Sequence, residues 1–357
     1  MIHSLFPLDV YMNQPHLHTS SRAVSGDVSE APFFIVGCSR SGSTLLQALI
    51  DAHPRITIPP ESQLYLRFAD IFHCYGDLRI PAKRRRFIRD LLADAQIRMW
   101  GLSLTVDQVE SELKVYSRAE IVSVLFQYYA RSRGASRWGD KTPEHVRYLS
   151  LINTDFPNAL FIHLVRDGRD VAEAMRRMVY GPVSAIGLGR MWRDEVLAWK
   201  TAKDCIDSSR ILQIRYEDLV VDTQNVLECI FDFLGESYID TTNRYQASAL
   251  SQTYTKQPWH SSLTTGIRAD KIQIYKKRFT PREIELIEYE AGNALENFGY
   301  VREYINPKSP SFVERCVAWI LDRTVRRVRK LFHPYVIAWD LQYRLRKLKY
   351  RLLCRIL

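Results

Sequence analysis

The sequence predicts an α/β fold, a P-loop-like parallel sheet flanked by helices, and three observations carry that expectation. The runs FFIVG (33–37), LFIHLVR (160–166) and ILQIRY (211–216) are short, apolar and rich in β-branched residues, as strands buried on both faces must be. Helical spacing follows each of them, over 43–52, 169–179 and 222–234. Strand and helix in alternation lead through right-handed crossovers to parallel pairing.

The first strand runs into GCSRSGST (37–44), which has the shape of a phosphate-binding loop, G-x-x-x-x-G-K-[ST], with Ser43 where the lysine belongs. Backbone N–H groups of residues 41–45 and the positive end of the following helix can cradle an anion without that lysine. Arg40, inside the loop, supplies the cation, and its planar fork suits a face of anionic oxygens. The alternative is a glycine turn that feeds a helix and holds nothing.

Section 62–135 is too long for a simple crossover and contains helical runs such as RRRFIRDLLADAQIRMW and AEIVSVLFQYYARS. It is expected to form a helical insertion over the active edge of the sheet, either as packing alone or as a wall of an acceptor pocket. The second and third strands end near Arg166 and Tyr216. Ligands of open parallel sheets bind beyond the carboxyl ends of the strands, so Arg40, Arg166 and Tyr216 point to one place. For Arg166 the competing role is an ion pair with Asp167 or Asp170, and for Tyr216 it is core packing.

Of 357 residues, 46% are hydrophobic and 25% charged, enough for one sizeable core. The expected organisation is a flexible lead-in over 1–30, a domain over 31–305 and a basic amphipathic helical tail over 306–357. The formal charge of +10 is concentrated in residues 311–357, which hold 12 Lys/Arg against 3 Asp/Glu, a net of +9. Basicity confined to a tail argues against a nucleic-acid-binding body, and no nucleic-acid partner is expected. The stretch 311–332 places Val313, Val317, Ile320, Thr324, Val328 and Leu331 on one helical face, with arginines around the rest. After His333-Pro334 the same mixture resumes. Such helices lie on anionic membrane surfaces or dock as a pair on the protein or a partner.

The six cysteines show no metal-like spacing, which favours a reducing compartment and no metal centre. With no apolar run long enough to span a bilayer and no signal-peptide pattern at the N-terminus, a cytoplasmic location is expected, with membrane association through the tail as an option.

The stretch RSGSTLLQALIDAHPRITIPPES (40–62) resembles the 5′-phosphosulfate loop of sulfotransferases that use 3′-phosphoadenosine 5′-phosphosulfate (PAPS). The similarity is to the branch containing tyrosylprotein sulfotransferases and bacterial carbohydrate or small-molecule sulfotransferases. FPNALFIHLVRDGRDV (156–171) resembles that family's 3′-phosphate segment, and RYEDLV (215–220), FDFLG (231–235) and FTPREIELIE (279–288) continue the likeness. The resemblance implies that Arg40, Ser41, Gly42, Ser43 and Thr44 hold the 5′-phosphosulfate, that Arg166 holds the 3′-phosphate with Tyr216 nearby, and that no metal is required. One departure is Ala174, where the family has a serine that bonds the 3′-phosphate; its loss leaves recognition to Arg166 and to neighbours such as Arg169 or Arg177.

Sulfuryl transfer to a hydroxyl needs a base and a cation for the charge that develops. Glu61, 21 residues after Arg40, matches the family's catalytic glutamate, and Pro59-Pro60 give it a stiff approach. Read without the resemblance, Glu61 is a helix-capping acid. Lys141, in GDKTPEH, matches a K-x-P segment whose lysine approaches the sulfuryl group; on spacing alone it is a surface turn residue. His53, His145 and His163 are weighed as bases and do not displace Glu61. The acceptor is expected to be a glycan, lipid or small-metabolite hydroxyl, with a tyrosyl acceptor less favoured. Two competing readings are a P-loop nucleoside or metabolite kinase, with Asp167 on magnesium, and a membrane scaffold with a degenerate nucleotide site.

Overall fold

The computed structural model describes residues 30–247 and 266–356. Most of the expected lead-in, residues 1–29, lies outside the described residues. The chain opens with β1 (Phe33–Gly37), α1 (Ser43–Asp51) and β2 (Ile56–Thr57). A helical section follows: α2 (Leu64–Phe68), a 3-10 segment Ala69–Tyr75, α3 (Pro81–Leu92), α4 (Ala95–Arg98), α5 (Val106–Ser111) and α6 (Arg118–Ser132). Next come β3 (Arg137–Lys141), α7 (Leu149–Asp155), β4 (Leu160–Val165), α8 (Gly168–Arg176), α9 (Ala185–Lys203) and β5 (Ile211–Arg215). Then α10 (Tyr216–Val221), α11 (Thr223–Leu234), α12 (Pro281–Ala291) and α13 (Ala294–Asn297) lead to the tail helices α14 (Phe312–Leu331) and α15 (Pro334–Ile356).

The five strands lie in the order β2-β3-β1-β4-β5, and every pairing is parallel. Because side chains alternate along a strand, Phe34 and Val36 of β1 face one core and Phe33 and Ile35 the other. The first core joins Phe161, Trp138, Trp192 and Trp199 to the helical section; the second joins Leu46, Leu49, Ile162, Ile214 and Ile230. Burial on both faces is why β1 and β4 read as predominantly apolar runs.

β2 and β3 were not expected. The sequence of β3, RWGDK, is fully buried although mostly polar, and Arg137, Asp140 and Lys141 each have specific partners. Arg137 donates to the carbonyls of Ala31 and Leu234 and stacks over Phe33. Gly139 is required by the same ring, whose carbons lie 2.4–2.7 Å from where a Cβ would sit. The expected single helix over 84–100 breaks at Asp94, which caps α4 through the Gln96 amide and pairs with Arg67 and Arg346. Cys38, Cys205, Cys229 and Cys316 are thiols, whereas Cys74 is disulfide-bonded, so spacing did not report its redox state.

Candidate functional site

The loop between β1 and α1 turns tightly, with the Ser41 amide donating to the Cys38 carbonyl at 3.2 Å. Arg40 takes a left-handed φ of 74° and Gly42 one of 96°. Gly42 has to be glycine for a second reason, since the Tyr216 ring occupies the space of a Cβ at 2.4 Å. Gly42 caps α1 without a side chain, and of the amides expected in the cradle that of Leu45 turns back to the Gly42 carbonyl at 3.0 Å, as that of Ser41 does to Cys38. The Ser41 hydroxyl is buried and has no hydrogen-bond partner in the structure.

Arg166 follows β4 and lies over the Tyr216 ring at 4.3 Å. It donates to the Arg40 carbonyl at 3.3 Å and to the Lys271 carbonyl at 2.9 Å, while its Nε is buried without a partner. Asp170 stands 3.9 Å from the guanidinium, a long ion pair. Burial pushes the Asp170 carboxyl up to about 7, although Arg166 opposes the shift. Tyr216 is the first residue of α10, beyond the strand end where it was expected. Its phenol is pushed upward by burial. The segment around Lys271 therefore crosses over the carboxyl ends of β4 and β5, a contact no local pattern announced.

Glu61 and Lys141 form an ion pair, and the Lys141 ammonium also donates to Thr44 Oγ1 at 3.3 Å. Lys141 is the last residue of β3 with a side chain 0% exposed, which overturns its reading as a surface turn; Glu61 is 24% exposed. Neighbouring contacts fix both. Gln47 of α1 donates to the carbonyls of Ile58 and Pro59 at 3.2 and 2.7 Å, and the Trp100 indole donates to that of Pro60 at 2.8 Å. One residue further on, the Ser62 hydroxyl donates to Asp140 at 2.7 Å, tying the Glu61 segment to β3. His145 completes this brace, 3.1 Å from Asp140 and accepting from the Tyr65 amide at 3.2 Å.

Arg40, Ser41, Gly42, Ser43 and Thr44 thus share one loop, flanked by Arg166 and Tyr216 on one side and by Glu61 and Lys141 on the other. Arg169 does not join them: it is buried between Asp167 and Glu288, at 2.7 and 2.6 Å, and serves packing. Arg177, 65% exposed, pairs with the buried Glu173 at 2.9 Å. His53 bonds the Ser237 carbonyl and stacks on Phe231, and His163 stacks on Trp199 at 4.2 Å, so both are core histidines.

Two residues of the site were missed. Glu144, three residues after Lys141, accepts from the Ser39 hydroxyl of the loop at 2.5 Å, and burial with the nearby charge of Glu61 holds its carboxyl above the usual range. Tyr180, 36% exposed at the rim, sits in the field of Arg40, Glu144, Glu61 and Lys141. An acid in the first turn after a proline gave the only local signal for Glu144; Tyr180 gave none.

A glycine-bounded loop at the head of a parallel sheet, with Arg40, Arg166 and Lys141 around it and a paired carboxylate beside it, is the arrangement of a P-loop-like fold. The profile of the sulfotransferase family matches residues 32–240, a span that contains every residue of this site up to Tyr216. The chain belongs to the sulfotransferase family. It is 28% identical over 221 residues to protein-tyrosine sulfotransferase 2 of Gallus gallus, covering 60% of this chain and 53% of that protein. Nodulation protein NoeE of Sinorhizobium fredii is 31% identical over 157 residues, 43% of this chain and 33% of its own length. The chain thus spans about half the length, or less, of these curated relatives. Among solved structures, the sulfotransferase domain of the Synechococcus PCC 7002 olefin synthase aligns with a TM-score of 0.48 at 24% identity, over 76% of this chain and 98% of that one.

Proposed function

We propose that this chain transfers a sulfuryl group from PAPS to an acceptor hydroxyl. The observation that carries the reading is the Glu61–Lys141 pair set against Thr44 of the loop, a base and a cation at one point of an anion cradle. Two buried donors without partners, Ser41 Oγ and Arg166 Nε, fit a multiply charged ligand lying from the loop to the Tyr216 face. PAPS supplies the activated sulfuryl group. Glu61 takes the acceptor proton at its carboxylate, Lys141 and Arg40 hold negative charge at the loop, and Arg166 holds the 3′-phosphate in place of the missing Ala174 hydroxyl. Protein-tyrosine sulfotransferases among the relatives make a tyrosyl peptide the reference acceptor, against which glycan, lipid and small-metabolite hydroxyls are to be compared.

Calorimetric titration in chelator, with 3′-phosphoadenosine 5′-phosphate (PAP), AMP and ATP as separate ligands, tests the proposal. Tight binding of PAP that AMP does not match, and that Arg166→Ala removes, is the expected result. Binding confined to ATP with magnesium would support a kinase instead, and no binding at all would leave a scaffold.

A further inference from the structure

We infer that the two C-terminal helices form a docking surface for an anionic phospholipid bilayer. Both are moored to the body through polar groups and turn their apolar residues outward, the reverse of a helix packed by its hydrophobic face. In α15, Gln342, Arg346, Lys347 and Tyr350 face inward. Arg346 pairs with Asp94 at 2.6 Å, Lys347 with Asp70 and Tyr350 with Asp90, while Gln342 donates to the Ala93 carbonyl at 3.1 Å. On the other side Ile337, Leu341, Leu345 and Leu348 are 39–56% exposed, with exposed Arg344 and Lys349 on their flanks.

α14 repeats the arrangement. Its inner face is Glu314, which pairs with Arg282 at 2.8 Å, with Asp322 and Arg329. Asp322 accepts from the amides of Val183 and Ser184 at 2.7 and 2.8 Å, and Arg329 donates to the carbonyls of Arg176 and Met178 at 2.6 and 3.0 Å. Val313, Val317, Ile320, Val328 and Leu331 are left 47–70% exposed in a stripe, beside exposed Arg323, Arg326 and Arg327. These contacts also hold the loop that carries Tyr180, so the surface is joined to the rim of the anion site.

Charge selects the occupant. Arg315, Arg323, Arg326, Arg327, Arg344 and Lys349 are exposed, and no acid of the two helices is exposed among the described residues, which sets two copies of this face against each other and draws it to a negative one. Aliphatic side chains interleaved with arginines suit the boundary between headgroups and acyl chains. No helix among the described residues is long and apolar enough to cross a membrane, so the mode is contact with one leaflet.

Flotation of the full chain with phosphatidylcholine vesicles, with and without phosphatidylglycerol, tests this. Wild type is expected to float only with the anionic vesicles and to be released by salt. Each arginine removed is expected to weaken partitioning about fivefold, so Arg323→Gln, Arg326→Gln and Arg327→Gln together weaken it about 100-fold. Ile320→Asp with Leu345→Asp, both at exposed sites, is expected to abolish flotation while the thermal melt and the PAP isotherm are unchanged. Failure of wild type to float, indifference to the arginines, or light scattering that shows a dimer split by the Ile320/Leu345 variant would overturn the inference. Because flotation is read without nucleotide, its failure is separate from failure of the sulfotransfer proposal.

Discussion

Gly42→Ala tests the coupling of loop, aromatic ring and arginine on which nucleotide binding is built. At φ 96° any Cβ is strained, by about 1–2 kcal/mol. This Cβ would also lie 2.4 and 2.7 Å from two carbons of the Tyr216 ring, so the ring has to move, an overpacking cost of about 1–3 kcal/mol. Gly101→Ala is the matched control: φ is 71° and nothing lies within 4 Å of the added carbon, so only the strain applies. Urea unfolding is expected to show a loss of about 1–2 kcal/mol for Gly101→Ala and about 2–5 kcal/mol for Gly42→Ala. Moving the Tyr216 ring also removes the plane on which Arg166 rests at 4.3 Å. PAP affinity should therefore fall at least about tenfold in Gly42→Ala and stay at the wild-type value in Gly101→Ala. Equal unfolding midpoints for the two variants, with an unchanged PAP isotherm in Gly42→Ala, would falsify the coupling.

Glu61→Gln keeps the shape of the side chain and removes the base; turnover is expected to drop by about 10²–10⁴ while PAP binds as before, and turnover within a factor of a few would take Glu61 out of the mechanism. Arg169→Ala leaves two buried carboxylates without their cation and should cost about 3–5 kcal/mol in urea unfolding, whereas Arg177→Ala should cost about 0–1 kcal/mol. Equal costs would restore Arg169 as a ligand-facing candidate. Burial holds the His163 imidazole down at about 3 against 6.5 for the ordinary group. The unfolded chain therefore takes up the proton first on acidification, and this contribution to stability is complete above pH 6.5 and is lost as pH falls toward 3. One unit below 6.5 the loss is about 1.4 kcal/mol, and that part of the acid slope should vanish in His163→Gln; a slope unchanged by the substitution rejects the assignment.

What could be read from the sequence follows from which groups burial makes conspicuous. β1, β4 and β5 were legible because apolar residues dominate them, with His163 and Gln213 the one cross-strand polar pair between β4 and β5 among the described contacts. β3 was hidden by its own role in the site, since a strand that delivers Lys141 and braces it with Asp140 cannot also be an apolar run. The loop was legible from its local order of strand, glycine and helix. Glu144 was not, because the hydroxyl it meets belongs to Ser39, 105 residues earlier. The resemblance singles out Arg166 ahead of Arg169 and Arg177; the start of α8 turns Arg169 into the core and leaves Arg166 over Tyr216.

The same contacts explain how the loop works with Ser43 in place of a lysine. An ammonium does reach the helix start, but from the neighbouring strand: Lys141 of β3, whose partner in register is Ile35 of β1, extends to Thr44. Delivered this way, the cation carries a counter-charge, Glu61, that a loop lysine would lack. With no exposure to water, Lys141 has that carboxylate as a close counter-charge, and the buried Glu144 carboxyl lies in the same field. In the proposed reaction Glu61 becomes neutral as it takes the acceptor proton, and the positive charge of Lys141 is at that moment less offset beside the loop. Its pull on negative charge is then greatest when charge is developing, which is the condition for lowering a barrier in place of merely tightening substrate binding. Moving the lysine from the loop to β3 thereby links proton removal to charge stabilisation through a single pair of side chains.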